Sequence, residues 1–379
     1  MRKSYLFSPG PTPVPPAVLA ANAEPMVHHR GPDFREVYER TLARLGEVYR
    51  TQSPVLLFSA SGTGAMDSAV TNLCRPGERV AVVVAGAFGE RWAKMCNHYE
   101  LDVARIDYAW GERPNPDEVA SAVRESGAGV VFATQSETST GVVTDVQALK
   151  SAVGDAVLVI DAVSSLGAVP LETDEWSLDV VVSGSQKALM CPPGLAMASV
   201  AEPLWDRLPS SRSFYFDWKA TRRAQEVFDA AFTPAVSLIR GLDVALGLLL
   251  EEGLDEACER HMRLGRATRA GIKAMGLELF SPDDDSSAVV TAIRTPAGID
   301  APRLLRDLRE RHGVTLAPGQ GALKPDVFRI GHIGWFDIFD IAVALAAVEV
   351  GLTELGAEIE RGVAVGAAFE AYELPVAAA

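Results

Sequence analysis

From about residue 34 to 200, stretches with helical spacing alternate with short, unbroken apolar runs. The runs are rich in valine: VAVVV at 80–84, VVFAT at 130–134, VLVI at 157–160, VVV at 180–182 and LAMASV at 195–200. A strand with one wet face alternates apolar and polar residues. A run apolar at every position suits a strand covered on both faces, as in a parallel sheet layered between helices. Between the runs, 34–49, 89–99 and 116–126 carry helical spacing, with Pro116 where a helix would begin. The pattern predicts an α/β domain.

Beyond residue 234 the pattern changes. Two long helical stretches, 234–253 and 254–276, run up to SPDDDSS at 281–287, an acidic, turn-rich break. An apolar run at 288–294, a helix around 301–313, a strand near 327–331 and a long helix from about 336 to 355 follow, in the proportion of a smaller α+β domain. The expected division is an N-terminal segment 1–20 near the active site, a large domain 21–255 and a small domain 256–379, in keeping with roughly 150 residues per domain. The alanine-rich tail from residue 361 is expected to be partly frayed.

Composition narrows the function classes. Nearly half the residues are hydrophobic, and 35 Lys and Arg against 50 Asp and Glu leave a net charge of −15. That sign repels phosphate backbones and anionic bilayers, which argues against nucleic acid and membrane as partners. The first residues are broken by prolines before an apolar core can form, so no signal peptide is expected. The run VALGLLL at 244–250 is far short of the roughly 20 residues that cross a bilayer, so a cytoplasmic protein is expected. Cys74, Cys96, Cys191 and Cys258 form no CxxC pair and are expected to be reduced core thiols, with no metal site.

In an open parallel sheet, ligands sit beyond the carboxyl ends of the strands. The residues there form a consistent set. Asp161 follows VLVI, and SGSQK with Gln186 and Lys187 follows VVV. SASGTG with Ser61, Gly62, Thr63 and Gly64 follows LLF at 56–58. AGAFGERW with Phe88 follows VAVVV, and QSETSTG with Thr138 follows VVFAT. Each also has a plain reading: a solvated lysine, an aspartate capping a helix, a simple turn, a core phenylalanine. Together they would place an acid, an amine, an aromatic ring and an anion cradle at one crevice.

These segments, with the opening SPGPTPVPPAVL and FRIGHIG at 328–334, resemble aminotransferase class V, the fold-type I pyridoxal-phosphate enzymes. The likeness is nearest to the alanine–glyoxylate, serine–pyruvate and serine–glyoxylate aminotransferases and runs in consistent order from about residue 6 to 355. It implies a mostly parallel sheet in a large domain that binds pyridoxal 5'-phosphate, and a smaller α+β C-terminal domain.

By that resemblance Lys187 holds the cofactor as a Schiff base and then shuttles a proton, and Asp161 faces the pyridine nitrogen. Phe88 stacks on the ring where many relatives have tryptophan or tyrosine. Ser61, Gly62, Thr63 and Gly64 form the phosphate loop, where helix N-terminal N–H groups suit an anion. Gln186 lies near the phosphate and Thr138 near the ring oxygen or the imine. Thr233 in FTPAVSL reaches the phosphate of a partner chain, which implies a homodimer with shared active sites. Ala230, Ala231 and Phe232 stand where several relatives have a tyrosine. Arg329 occupies the position that grips the substrate carboxylate, a task suited to its planar fork. His332 reads as structural, and the HHR at 28–30 has no assigned role.

The activity implied is transfer of an amino group from alanine or serine to glyoxylate or pyruvate by a ping-pong mechanism. Three readings compete with it: 2-aminoethylphosphonate transamination, a desulfurase-like lyase and a cofactor-free scaffold. The lyase reading is disfavoured because 316–328 holds no cysteine and Phe88 stands in place of the stacking histidine. Intact Lys187, Asp161 and Arg329 argue against the scaffold.

Overall fold

The computed structural model describes residues 3–373. The chain opens with β1 (Tyr5–Phe7), α1 (Pro16–Asn22) and α2 (Pro32–Tyr49), then β2 (Val55–Phe58), α3 (Gly62–Leu73) and β3 (Arg79–Val84). Next come α4 (Ala87–His98), β4 (Asp102–Asp107), α5 (Pro116–Ser126) and β5 (Val130–Thr134). A hairpin of β6 (Ser136–Glu137) and β7 (Val142–Val143) precedes α6 (Val146–Val153), β8 (Val157–Asp161), β9 (Val180–Gly184) and β10 (Ala196–Val200). The rest comprises α7 (Trp218–Gln225), α8 (Val236–Glu252), α9 (Leu254–Ala274), β11 (Val290–Arg294) and α10 (Ala301–Asp307), then β12 (Val314–Pro318), β13 (Val327–Gly331), α11 (Ile338–Glu354) and α12 (Val363–Glu373).

Seven strands form the large sheet in the order β2-β10-β9-β8-β5-β3-β4. The apolar runs are central because successive residues feed two different cores. Leu158, Ile160 and Val181 pack toward α2 and α8 on one face; Val157, Val159, Val180 and Val182 pack toward α3 on the other. Strand β4 lies at the edge, is only partly buried and lacks such a run. Five neighbouring strands are parallel, as expected, but β10 runs antiparallel to both β9 and β2. The link from β9 to β10 spans residues 185–195 and contains no helix, so it cannot make the crossover a parallel neighbour needs.

A second sheet orders its strands β1-β12-β13-β11 around a third core that includes Phe7, Phe328, Ile330 and Leu345. Strand β1 pairs in parallel with β12, Tyr5 opposite Val314. The first strand of the chain thus belongs to the sheet built mainly from its C-terminal part, and residues 8–15 bridge the two.

Over residues 363–373 the tail corrects the expectation of fraying. Residues 363–373 form α12, with Ala364 and Ala368 fully buried. Small side chains let α12 lie close on α9: a Cβ on Gly271 would come within 2.8 Å of the Ala364 carbonyl. Glu349 of α11 accepts from the Gly362 and Ala364 amides, both at 2.9 Å, capping the new helix. The part of the tail beyond residue 373 lies outside the described residues. All four cysteines are buried and unpaired. Among the described residues no helix is long and apolar enough to cross a membrane, and no cluster of His, Cys, Asp or Glu could hold a metal.

Candidate active site

Strands β8 and β9 end side by side, Asp161 opposite Val182, and deliver the acid and the amine to one crevice. The turn after β9 is fixed by its own backbone. Ser185 N–H donates to Leu195, Cys191 N–H to Ser185 and Met190 N–H to Lys187. Lys187 is only 8% exposed, so it is no solvated surface lysine. Its Nζ donates to the Pro9 carbonyl at 2.5 Å, and Thr12 Oγ1 donates to the Lys187 carbonyl at 3.2 Å. The bridging segment therefore lies directly on the lysine. A Cβ at Gly10, where φ is +133°, would sit 2.4 Å from Lys187 Cε, so only glycine fits.

Burial pushes the Lys187 ammonium down to about 8; the attraction of Asp161 opposes this, and Arg329 and Arg91 add to it. Burial likewise raises the Asp161 carboxyl to about 6, against the bond it accepts from Val163 N–H at 2.9 Å. Asp161 ends β8 and Lys187 follows the neighbouring β9, and each charge favours the ionised form of the other.

Helix α3 opens onto the same crevice. Ser61 precedes its first turn and is exposed; Gly62 is buried, and Thr63 and Gly64 are half-buried. A Cβ on Gly62 would lie 2.7 Å from Val163 Cγ2, so the missing side chain lets the helix start abut the end of β8. A Cβ on Gly184 would lie 3.2 Å from Gly62 N and 3.0 Å from Gln186 Oε1. Gln186 Oε1 is buried and has no hydrogen-bond partner. The first-turn N–H groups of a helix lack partners within it, which suits the start of α3 to an anion; Gln186 Oε1, an acceptor, adds nothing to that cradle.

Phe88 is the second residue of α4 and is half-buried. The Arg91 guanidinium lies over its ring, 4.7 Å from the centroid, and Arg91 Nη1 donates to Thr63 Oγ1 at 3.0 Å. Thr138 is buried in the turn after β6, and its carbonyl accepts from Arg329 Nη1 at 2.6 Å. Arg329 Nε donates to the Pro318 carbonyl at 2.9 Å. Burial lowers the Arg329 guanidinium to about 10, and Glu137 opposes that shift. Both of these bonds go to carbonyls, which aims the fork without neutralising its charge.

Of the residues expected at the site, Thr233 stands apart. It is exposed on an outer cavity of about 710 Å³ shared with Met26, His28 and His29. His332 is fully buried with both ring nitrogens bonded, Nδ1 to the Ala288 carbonyl and Nε2 to Thr291 Oγ1, in line with a structural role.

Two site residues escaped sequence reasoning. Arg91 had a signal, since its i+3 spacing from Phe88 on one helix puts its side chain over that ring. Glu137 had a signal for its place, in the segment that follows VVFAT, but none for its contact with α4, which only the fold creates.

A family model described as aminotransferase class-V matches residues 4–333. A protein called the soluble hydrogenase small subunit, from a Synechococcus strain, is 40% identical, covering 93% of this chain and 94% of that protein. The serine–glyoxylate aminotransferase of Methylorubrum extorquens is 33% identical over 97% of this chain and 95% of its own. The crystal structure of pyridoxamine–pyruvate aminotransferase from Mesorhizobium loti superposes with a TM-score of 0.93 at 27% identity, covering 98% and 97% of the two chains. The crevice, the fold and these likenesses agree: the chain belongs to the class-V aminotransferases, fold-type I enzymes dependent on pyridoxal 5'-phosphate.

Proposed function

We propose that the chain moves an amino group from alanine or serine to glyoxylate or pyruvate in two alternating half-reactions, with Lys187 and Asp161 as the catalytic pair. The observation that carries this reading is a buried amine and a buried acid at the neighbouring ends of β9 and β8: burial lowers Lys187 to about 8, which brings its neutral form within reach, while Asp161 at about 6 is still ionised at neutral pH. Pyridoxal phosphate supplies an aldehyde to join to an amine and a ring that withdraws electrons from the substrate α-carbon.

The residues present fit that group. Lys187 would hold it at rest and, once displaced, take and return the proton at the substrate α-carbon, which requires the neutral amine that burial favours. Asp161 would keep the ring nitrogen protonated. Phe88 would cover one ring face, and Thr138 would lie near the ring oxygen. Ser61, Gly62, Thr63 and Gly64 would hold the phosphate, a role supported by the start of α3 abutting the end of β8, and Gln186 would reach it through its Nε2 donor. Arg329 would receive the substrate α-carboxylate. Serine and glyoxylate stand in the name of one relative and pyruvate in the name of another, which supports this substrate class.

The second half of the reading is a cytoplasmic homodimer in which Thr233 serves the partner's phosphate. Its support is an exposed apolar surface beside Thr233. Phe214 is 86% exposed, and Phe232 stacks on Tyr215 with centroids 5.1 Å apart. An N-terminal segment 1–20 near the active site, a large domain 21–255 and a small domain 256–379 complete the proposal.

The test follows cofactor absorbance as single amino donors are added. Alanine or serine should discharge the yellow form, and glyoxylate or pyruvate should restore it. Discharge by 2-aminoethylphosphonate alone would overturn the substrate reading. Sedimentation should give twice the chain mass.

A further inference from the structure

We infer that Glu137, acting with Ser139, is the positioning residue that sets the Phe88 ring against the cofactor and couples it to the arginine awaiting substrate. The inference rests on the reading of Phe88 as the stacking residue and adds what holds it there.

The first amides of α4 have no partners within the helix. No side chain from the preceding residue caps them, since Gly86 stands there. Instead the cap arrives from a distant turn. Glu137 Oε2 accepts from Phe88 N–H at 2.9 Å and from Gly89 N–H at 3.2 Å. Glu137 Oε1 accepts from Ser139 N–H at 3.1 Å and from Ser139 Oγ at 2.5 Å. Ser139 Oγ in turn accepts from Ala87 N–H at 2.9 Å. Three consecutive amides of α4 therefore end on one buried carboxylate and its serine. Burial raises the Glu137 carboxyl, and the bonds from Ser139, Phe88 and Gly89 oppose that shift; every neighbour of its oxygens in this set is a donor, the arrangement that suits the acceptor-only, ionised form.

The fit is tight. A Cβ on Gly86 would fall 2.5 Å from Glu137 Cδ and Cγ and from Ser139 Oγ, so only glycine lets the turn reach the helix. Between the two capping residues lies Thr138, whose carbonyl holds Arg329. One three-residue turn thus fixes both the stacking ring and the carboxylate fork. Glu137 also acts through its charge, raising Asp161 and supporting the Arg329 cation.

The experiment compares the wild-type holoenzyme with Glu137→Gln and Ser139→Ala. Gln is isosteric but presents an amide donor to an amide or a hydroxyl that needs an acceptor. Three readouts are used: pyridoxal phosphate affinity by fluorescence quenching, visible circular dichroism of the bound cofactor, and the split between kcat and KM. E137Q should bind the cofactor roughly tenfold to a hundredfold more weakly, as loss of one or two bonds to a charged group implies. Its dichroic band should shrink as the ring loses its fixed stack, and KM for the amino donor should rise along with the fall in kcat. Ser139→Ala should change each readout in the same direction by less, and Ser139→Thr should restore it. Affinity within twofold of wild type with unchanged dichroism would overturn the inference. If E137Q does not fold, the serine pair decides by the same criteria. Wild-type protein that binds no cofactor would defeat the reading of the site itself, a separate outcome.

Discussion

Lys187 sits at the end of a strand, beneath the bridging segment, in a place that keeps water away from an amine. Because its ammonium is lowered to about 8, the neutral fraction grows through the range just below that value. Capture of pyridoxal phosphate by the apoprotein should therefore speed up about tenfold per pH unit below 8 and level off above it. Stopped-flow absorbance from pH 6 to 10 tests this, and a flat profile would assign the capturing amine elsewhere. Arg329 makes a different kind of demand, because two of its donors are already spent on fixed carbonyls. Arg329→Lys should raise KM for the amino donor by roughly tenfold to a hundredfold, since a point charge cannot keep those bonds and also meet a carboxylate. Equal KM in variant and wild type would refute that role. Lys187, Asp161 and Arg329 were legible in the chain because each follows or lies within an apolar run that marks a strand. Glu137 also follows such a run, in QSETSTG after VVFAT, but its task was hidden, because capping a helix some 50 positions earlier leaves no local pattern.

At the level of elements, legibility followed burial. The runs at 80–84, 130–134, 157–160 and 180–182 lie within or coincide with β3, β5, β8 and β9, since two covering layers demand apolar residues at every position. Strand β4 at the sheet edge and the short strand β1 carried no such run, and pairing alone makes them strands. The orientation of β10 was hidden too, because an apolar run is the same whichever way it points. The tail misled for a related reason. Alanines give little apolar area, but their small size is what lets α12 seat on α9. A chain ending at Arg361 would remove both amides bonded to Glu349, a side chain that is itself buried. Leaving that carboxylate without its partners should cost about 2–4 kcal/mol, read as a fall in the denaturant midpoint. An unchanged midpoint would return the tail to the status of a frayed end.

For the molecule as a whole, the joint between the two sheets is where the N-terminal segment meets the candidate site. The N-terminal segment, expected near the active site, lies on Lys187 through Pro9, and its strand β1 pairs into the second sheet, a partner that its own residues did not announce. The same joint is held from the other side by His261 of α9. Its Nε2 accepts from Gly334 N–H at 2.9 Å, and its Nδ1 faces the Ala257 carbonyl at 2.6 Å. A Cβ on Gly334 would lie only 3.0 Å from the Lys187 carbonyl, so this loop is part of the crevice wall. Burial first, then the nearby Arg260 charge, lowers His261 to about 3. In the unfolded chain the same imidazole titrates near 6.5. Between those two values the unfolded state binds a proton that the folded state refuses, so stability falls as pH drops through that window. Above pH 6.5 both states are neutral and the effect vanishes. His261→Asn retains a polar side chain at the position but has no proton to gain. Unfolding by urea at pH 7 and pH 5 should show the wild type losing about 2 kcal/mol more than the variant across that interval. Parallel losses would mean that the imidazole is already charged in the folded protein, and that the loop beside Lys187 is held by something other than a neutral histidine.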